Sequence, residues 1–157
     1  MRVIGVDPGT LVCGFGVVDY VGSKMKAVDF GAVRVRKEMT FPERLVHIHR
    51  GLLEVIRRHR PDEAAVEKLY LGKSFRSVMT TGEGRGIAIL TAALANLPVY
   101  EYTPAEVKKA VVGFGAAHKT QVQEMVRIIL GMSAVPRPQD AADALAIAIC
   151  HCQRLRF

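Results

Sequence analysis

Three cysteines, Cys13, Cys150 and Cys152, are all that this chain of 157 residues carries. An odd number without framework spacing excludes a disulfide scaffold and suits a reducing compartment, so the expected location is the cytoplasm. Cys150-His151-Cys152 offers soft-metal ligand types, but helical neighbours two apart point to different sides, which argues against a metal site there. No apolar run approaches the ~20 residues that span a bilayer, so no membrane partner is expected. MRVIGVDPG has four apolar positions after Arg2 before an aspartate interrupts them, and a secretory leader is not expected. Long polar tracts, low-complexity segments and internal repeats are absent too, so disorder is expected only at the termini and in one loop. Acids are in short supply: 15 Asp and Glu stand against 22 Lys and Arg, a net charge of +7. That excess favours a polyanionic partner, nucleic acid first. The basic residues are dispersed, and their densest cluster, Arg57-Arg58-His59-Arg60, reads as a solvated helix end.

What is present is a core. Half the residues are hydrophobic and the mean hydropathy is +0.18, enough for one domain over 1–157. Residues 3–7 read as a buried strand ending on an acid. Pro8 and Gly9 turn the chain, and 12–19 and 26–35 suit two further strands joined through Gly22-Ser23. Thr40-Phe-Pro-Glu43 has capping-box spacing, followed by a helical stripe of Leu45, Ile48, Leu52, Val55 and Ile56 to about residue 59. Residues 63–67 (EAAVE) form another short strand ending on an acid, 76–95 a small-residue helix, and 98–102 a strand. Thr103-Pro104-Ala-Glu106 caps a helix that Gly113 and Gly115 break. Thr120-x-x-Gln123 predicts the next cap, and PRPQD opens a final helix near 138. The order βββαβαβ followed by helices makes an α/β protein with about five strands.

In PQDAADALAIAI, Asp140 and Asp143 interrupt an otherwise apolar helix. With Asp7 and Glu67 they make four acids on elements otherwise suited to the interior. Each has an ordinary reading alone, as a turn residue, a solvated strand end or a partner of a helix dipole. Jointly they read differently. Acids ending buried strands converge on one sheet edge, and residues three apart share a helix face, so Asp140 and Asp143 meet them if the last helix crosses that edge. Carboxylates so crowded resist ionisation unless cations neutralise them. Mg²⁺, which prefers oxygen ligands, is the natural cation, and two ions ~3.5–4 Å apart form a clamp for displacement at phosphorus.

Four segments carry a family likeness: VIGVDPGT (3–10), AAVEKLYLGKS (64–74), VKKAVVGFGAAHKTQV (107–122) and QDAADALAIAICH (139–151). In this order and spacing the chain resembles the RuvC family of Holliday junction resolvases, within the ribonuclease-H-like (retroviral integrase) superfamily. The resemblance implies a five-stranded mixed sheet flanked by helices. It implies a homodimeric endodeoxyribonuclease that nicks four-way junction DNA symmetrically, leaving 5′-phosphate ends, in recombination and repair. Two Mg²⁺ per active site would be held by Asp7, Glu67, Asp140 and Asp143, with Mn²⁺ able to substitute. Lys119 would face the scissile phosphate, and Lys108 matches a lysine tied to activity or DNA contact. Tyr70 takes the place of an aromatic that wedges against a base, with Lys73 and Arg76 near it as phosphate contacts. Cooperation with the branch-migration proteins RuvA and RuvB is implied as well.

Where the family tends to read Gly-Gln-Ala-Arg-Gly, this chain has Gly82-Glu83-Gly84-Arg85-Gly86, and an extra glycine inside a helix costs ~1 kcal/mol relative to alanine. Close helix packing is the better reading of these glycines than a phosphate loop. The family dimerises through this region, so Glu83 and Gly84 are expected to affect that contact. Ala116 and His118 depart near Lys119, and His118 is a candidate for proton transfer. Two alternatives stay open: a junction-binding protein without cleavage, and a lobe of an actin-like ATPase, whose phosphate loop DPGT also resembles. The second needs two lobes, and 157 residues hold one.

Overall fold

The computed structural model describes residues 1–69, 72 and 74–155. Five strands, β1 (Arg2–Asp7), β2 (Val12–Val21), β3 (Lys24–Arg34), β4 (Glu63–Glu67) and β5 (Val99–Tyr102), form one sheet in the order β3-β2-β1-β4-β5. The β1–β2–β3 meander is antiparallel, whereas β4 and β5 join in parallel after helical crossovers. The helices are α1 (Phe41–His59), α2 (Phe75–Leu94), α3 (Pro104–Val112), α4 (Lys119–Ile129) and α5 (Gln139–Arg154).

The strands alternate in the faces they bury, and this alternation positions the site. Ile4, Val6, Cys13, Val17, Ala64 and Val66 pack with α1 and α2. Their neighbours Val3, Val18, Ala65 and Tyr102 pack on the other face with α3, α4 and α5. Side chains two apart along a strand share a face, so Asp7, Gly14 and Glu67 belong to the α5 face. α5 is buried along most of its length, Ala144 to Cys152 without interruption. It is therefore a core helix, with only its first turn at the sheet edge.

Both threonine caps form as expected. Thr40 and Thr103 accept from the backbones of Glu43 and Glu106, and those glutamates accept in return from the Thr40 and Thr103 N–H groups at 2.8 and 2.7 Å. The Thr120-x-x-Gln123 cap is a miss. α4 begins two residues earlier, with His118 at its cap and Gln121 Oε1 accepting from His118 N–H at 2.9 Å. The helix thus gains Lys119 as its first residue. The 57–60 cluster is a solvated helix end as expected, with Arg57, Arg58 and Arg60 exposed; within it His59 Nε2 meets Asp29 Oδ2 at 2.7 Å, and the His59 carbonyl accepts from Arg2 at 2.8 Å.

Candidate active site

Asp7 and Glu67 end adjacent parallel strands. Val6 pairs with Val66, so the acids that follow stand one strand spacing apart, ~4.8 Å between backbones, on the face α5 covers. Asp7 also pairs across β2 with Gly14. A Cβ on Gly14 would lie 2.6 Å from the Asp140 carbonyl carbon and 3.0 Å from Asp140 Cβ. The bare glycine therefore lets the first turn of α5 rest on the strand beside Asp7. Asp143 follows one turn later on the same helix face.

Electrostatics register the convergence. Burial above all, then the charges of Glu67, Asp143 and Asp140, push the Asp7 carboxyl up to about 8, against a smaller opposing pull from Lys119. Three acids from β4 and α5 thus act on Asp7 of β1. Lys119 Nζ lies 3.2 Å from Asp143 Oδ2, with just over half of its side chain exposed. On the opposite face under the Pro8-Gly9 turn, burial pushes the Cys13 thiol up to about 12, so it stays a neutral packing group.

The fit to a divalent cation follows from this donor set. All four groups are hard oxygen donors, and the charge that Asp7 cannot bear alone is what Mg²⁺ would neutralise. Among the described residues no three His, Cys, Asp or Glu side chains already stand in ligating geometry. Asp143 also meets Lys119, which brings a positive charge to the edge of the group.

Lys108 is half-buried on α3 and Arg76 is exposed in the first turn of α2. Neither is among the charges acting on Asp7. Tyr70 and Lys73 fall outside the described residues. Gly84 is buried, with a Cβ there meeting Gly9 N, Cα and C at 2.6, 2.7 and 2.8 Å. It faces the loop behind Asp7. Glu83, one residue and ~100° around the helix, is exposed.

Gly14 was missed by sequence reasoning, because nothing local says which backbone will approach a strand glycine. The cluster at His151 was missed too. Tyr102 OH and His151 Nδ1 share a hydrogen bond of 2.6 Å, and Glu63 Oε2 meets His151 Nε2 at 2.5 Å. This buried chain ties the end of α5 to β4 and β5, and it uses the histidine of the Cys-His-Cys triplet as a packing link.

A mixed five-stranded sheet with acids at the ends of two inner strands, and a core helix bringing two more to the same edge, defines a ribonuclease-H-like protein. The family model for crossover junction endodeoxyribonuclease RuvC matches residues 3–151, and the chain belongs to the RuvC family. It is 53% identical to the crossover junction endodeoxyribonuclease RuvC of Chloroflexus aggregans, covering 96% of this chain and 92% of the relative. It is 46% identical to that of Brevibacillus brevis, covering 100% and 95%. Among solved structures, Thermus thermophilus RuvC in complex with a Holliday junction substrate aligns with a TM-score of 0.92 and 39% identity over 99% of this chain and 95% of that one. Neither the ATPase lobe nor the binder without cleavage is favoured by a match of this extent. Among the described residues no helix is long and apolar enough to cross a membrane.

Proposed function

We propose that this chain is a single nuclease domain over 1–157 that resolves four-way DNA junctions by hydrolysing one phosphodiester in each of two opposed strands. The observation that carries the reading is the convergence on one sheet edge: Asp7 and Glu67 end paired strands, Gly14 seats Asp140 beside Asp7, and Glu67, Asp143 and Asp140 are all close enough to push the Asp7 carboxyl up. It marks a centre built to receive positive charge. Asp7, Glu67, Asp140 and Asp143 would hold Mg²⁺, two ions per site, with Mn²⁺ able to replace it. When bound, such ions lower the pKa of the attacking water and stabilise charge on the leaving oxygen.

The chain's own residues do the rest. Gly14 keeps Asp140 against β2, and the β1–β4 pairing keeps Asp7 beside Glu67, so the backbones that carry three of the ligands are in place, and the side chains would close on the ions as they bind. Lys119 is held by Asp143 yet half-exposed, and can turn its ammonium to a non-bridging phosphate oxygen as charge builds there. Water oxygen bonds to phosphorus, the P–O3′ bond breaks, and the proton passes to O3′. The products are a 3′-hydroxyl and a 5′-phosphate, suitable for resealing. Arg76 and Lys108, with Tyr70 and Lys73, are assigned to DNA contact.

Paired nicks imply two copies. On α2, Phe75, Met79, Leu90 and Leu94 are exposed apolar residues, 80%, 48%, 51% and 65% accessible. At 100° per residue they fall within a ~100° stripe that also carries Glu83 and Gly86. Such a face suits an isologous homodimer. The branch-migration proteins RuvA and RuvB are the expected partners, in the cytoplasm. The test is incubation of a synthetic four-way junction and a matched linear duplex with wild type and Asp7→Asn, in Mg²⁺ and in Mn²⁺. Symmetric nicks confined to the junction and lost in the variant are expected; cutting of both substrates alike would refute the reading.

A further inference from the structure

β3 ends at Arg34, and Val35 N–H donates to the Leu11 carbonyl at 3.1 Å, which fixes the segment after β3 at the sheet edge where Asp7 ends β1. Asp7 pairs with Gly14 and Gly14 with Ala32, so Ala32 stands two strand spacings, ~10 Å, from Asp7. Arg34, Arg36 and Lys37 continue outward from it, all exposed. The first half of α1 runs back beside them, joined where His47 Nε2 meets the Arg34 carbonyl at 2.8 Å. Between segment and helix lies an open groove of about 450 Å³, with Arg36 on one wall and His47 and Arg50 on the other.

The charges around this groove are free for an outside partner. Among the described residues, Arg34, Arg36, Lys37 and Arg50 enter none of the ion pairs that hold Arg2, Arg58, Arg85, Lys119 and Arg127. Glu43 on the wall, whose Oε2 accepts from Thr40 N–H at 2.8 Å, and the exposed Glu38 beside Arg36 bring two negative charges against the four of Arg34, Arg36, Lys37 and Arg50, so the rim keeps a positive excess. A basic groove beside a centre for phosphodiester chemistry is complementary to a phosphate chain.

We propose that this groove grips the backbone of the duplex arm that leaves the cleavage centre. The inference rests on the nuclease reading and adds where the arm runs. Duplex DNA rises ~3.4 Å per base pair, so a groove ~10–20 Å from Asp7 meets roughly the third to sixth phosphates from the cut.

The test uses the full chain and a synthetic four-way junction in Ca²⁺, with binding followed by fluorescence anisotropy across a range of NaCl concentration. Arg36→Gln/Arg50→Gln is compared with wild type and with Arg57→Gln/Arg58→Gln, which removes equal charge at the far end of α1. The groove variant is expected to bind about tenfold more weakly, with a salt dependence shallower by about 1–2 in log–log slope. The control is expected to stay near wild type. Methylphosphonates at the third to sixth positions should weaken wild type while adding no loss in the groove variant. A wild-type slope in the groove variant, or an equal methylphosphonate loss in both proteins, overturns the proposal. Wild-type nicking in Mg²⁺ is run alongside: nicks with an unchanged slope sink the groove alone, whereas no nicks sink the nuclease reading.

Discussion

Gly84→Ala separates helix propensity from geometry. Inside a helix, glycine to alanine is favourable by ~1 kcal/mol on propensity alone. At Gly84 the added Cβ would sit 2.6, 2.7 and 2.8 Å from the N, Cα and C of Gly9. Carbon atoms in favourable contact stand ~3.5–4.0 Å apart, so the overlap approaches ~1 Å, and all three atoms are backbone that cannot rotate away. Overpacking of this kind costs ~1–3 kcal/mol. Gly86, half a turn further on, supplies the control, because a Cβ there meets nothing within 4 Å. Both variants share the propensity gain, so the difference between them isolates the overlap. It should be ~1–3 kcal/mol, read as a Tm for Gly84→Ala lower by several degrees than that of Gly86→Ala. Gly9 follows Asp7 by two residues, so a loop displaced by ~1 Å should also slow junction nicking on the order of 100-fold. Gly86 lies on the exposed α2 stripe, so melts are compared over a range of protein concentration to remove any change in self-association. Equal stabilisation by both substitutions, with full nicking retained, would refute the packing argument.

Asp7→Asn should raise stability in chelator at alkaline pH. Below about pH 4 the wild-type carboxyl is protonated both in the fold, where it is pushed up to about 8, and in the unfolded chain. Between about pH 4 and 8 the unfolded chain releases that proton while the fold keeps it, so rising pH destabilises wild type, and the deficit is complete above about 8. Melts at pH 8.5 and 4.5 should therefore show an advantage for the variant on the order of 5 °C or more at the higher pH that shrinks at the lower, and Mg²⁺ should close the gap by stabilising only wild type. A pH-independent difference would remove burial and charge crowding as its cause. Leu90→Glu should convert the proposed dimer to monomer in light scattering, because it places a charge in the exposed apolar stripe of α2; an unchanged mass would move the self-association face elsewhere.

How much was legible in the sequence depends on whether the signal was local. EAAVE and the two Thr-x-x-Glu caps carry their information within a few residues, and those elements stand where expected. The acid pair on α5 was readable because helical spacing and an apolar background coincide there. The cap of α4 was misplaced because threonine is intrinsically the better cap, whereas the first turn closes two residues earlier, where Gln121 Oε1 accepts from His118 N–H. Gly84 and Glu83 could be told apart only once α2 had a facing partner, since one residue of rotation separates the loop behind Asp7 from the exposed stripe. The Tyr102–His151–Glu63 chain joins residues 49 and 88 positions apart, and no short window contains it.

The central claim is that four carboxylates from three elements take up divalent ions as a unit. The direct measurement is Mn²⁺ titration, followed by loss of the free-ion paramagnetic resonance signal, with a non-hydrolysable junction present and with wild type compared against Asp7→Asn, Glu67→Gln, Asp140→Asn and Asp143→Asn. Saturable uptake approaching two ions per chain, weakened at least tenfold by every one of the four substitutions in folded protein, is the predicted result. Uptake that any of the four leaves untouched, or no uptake by wild type, would contradict it.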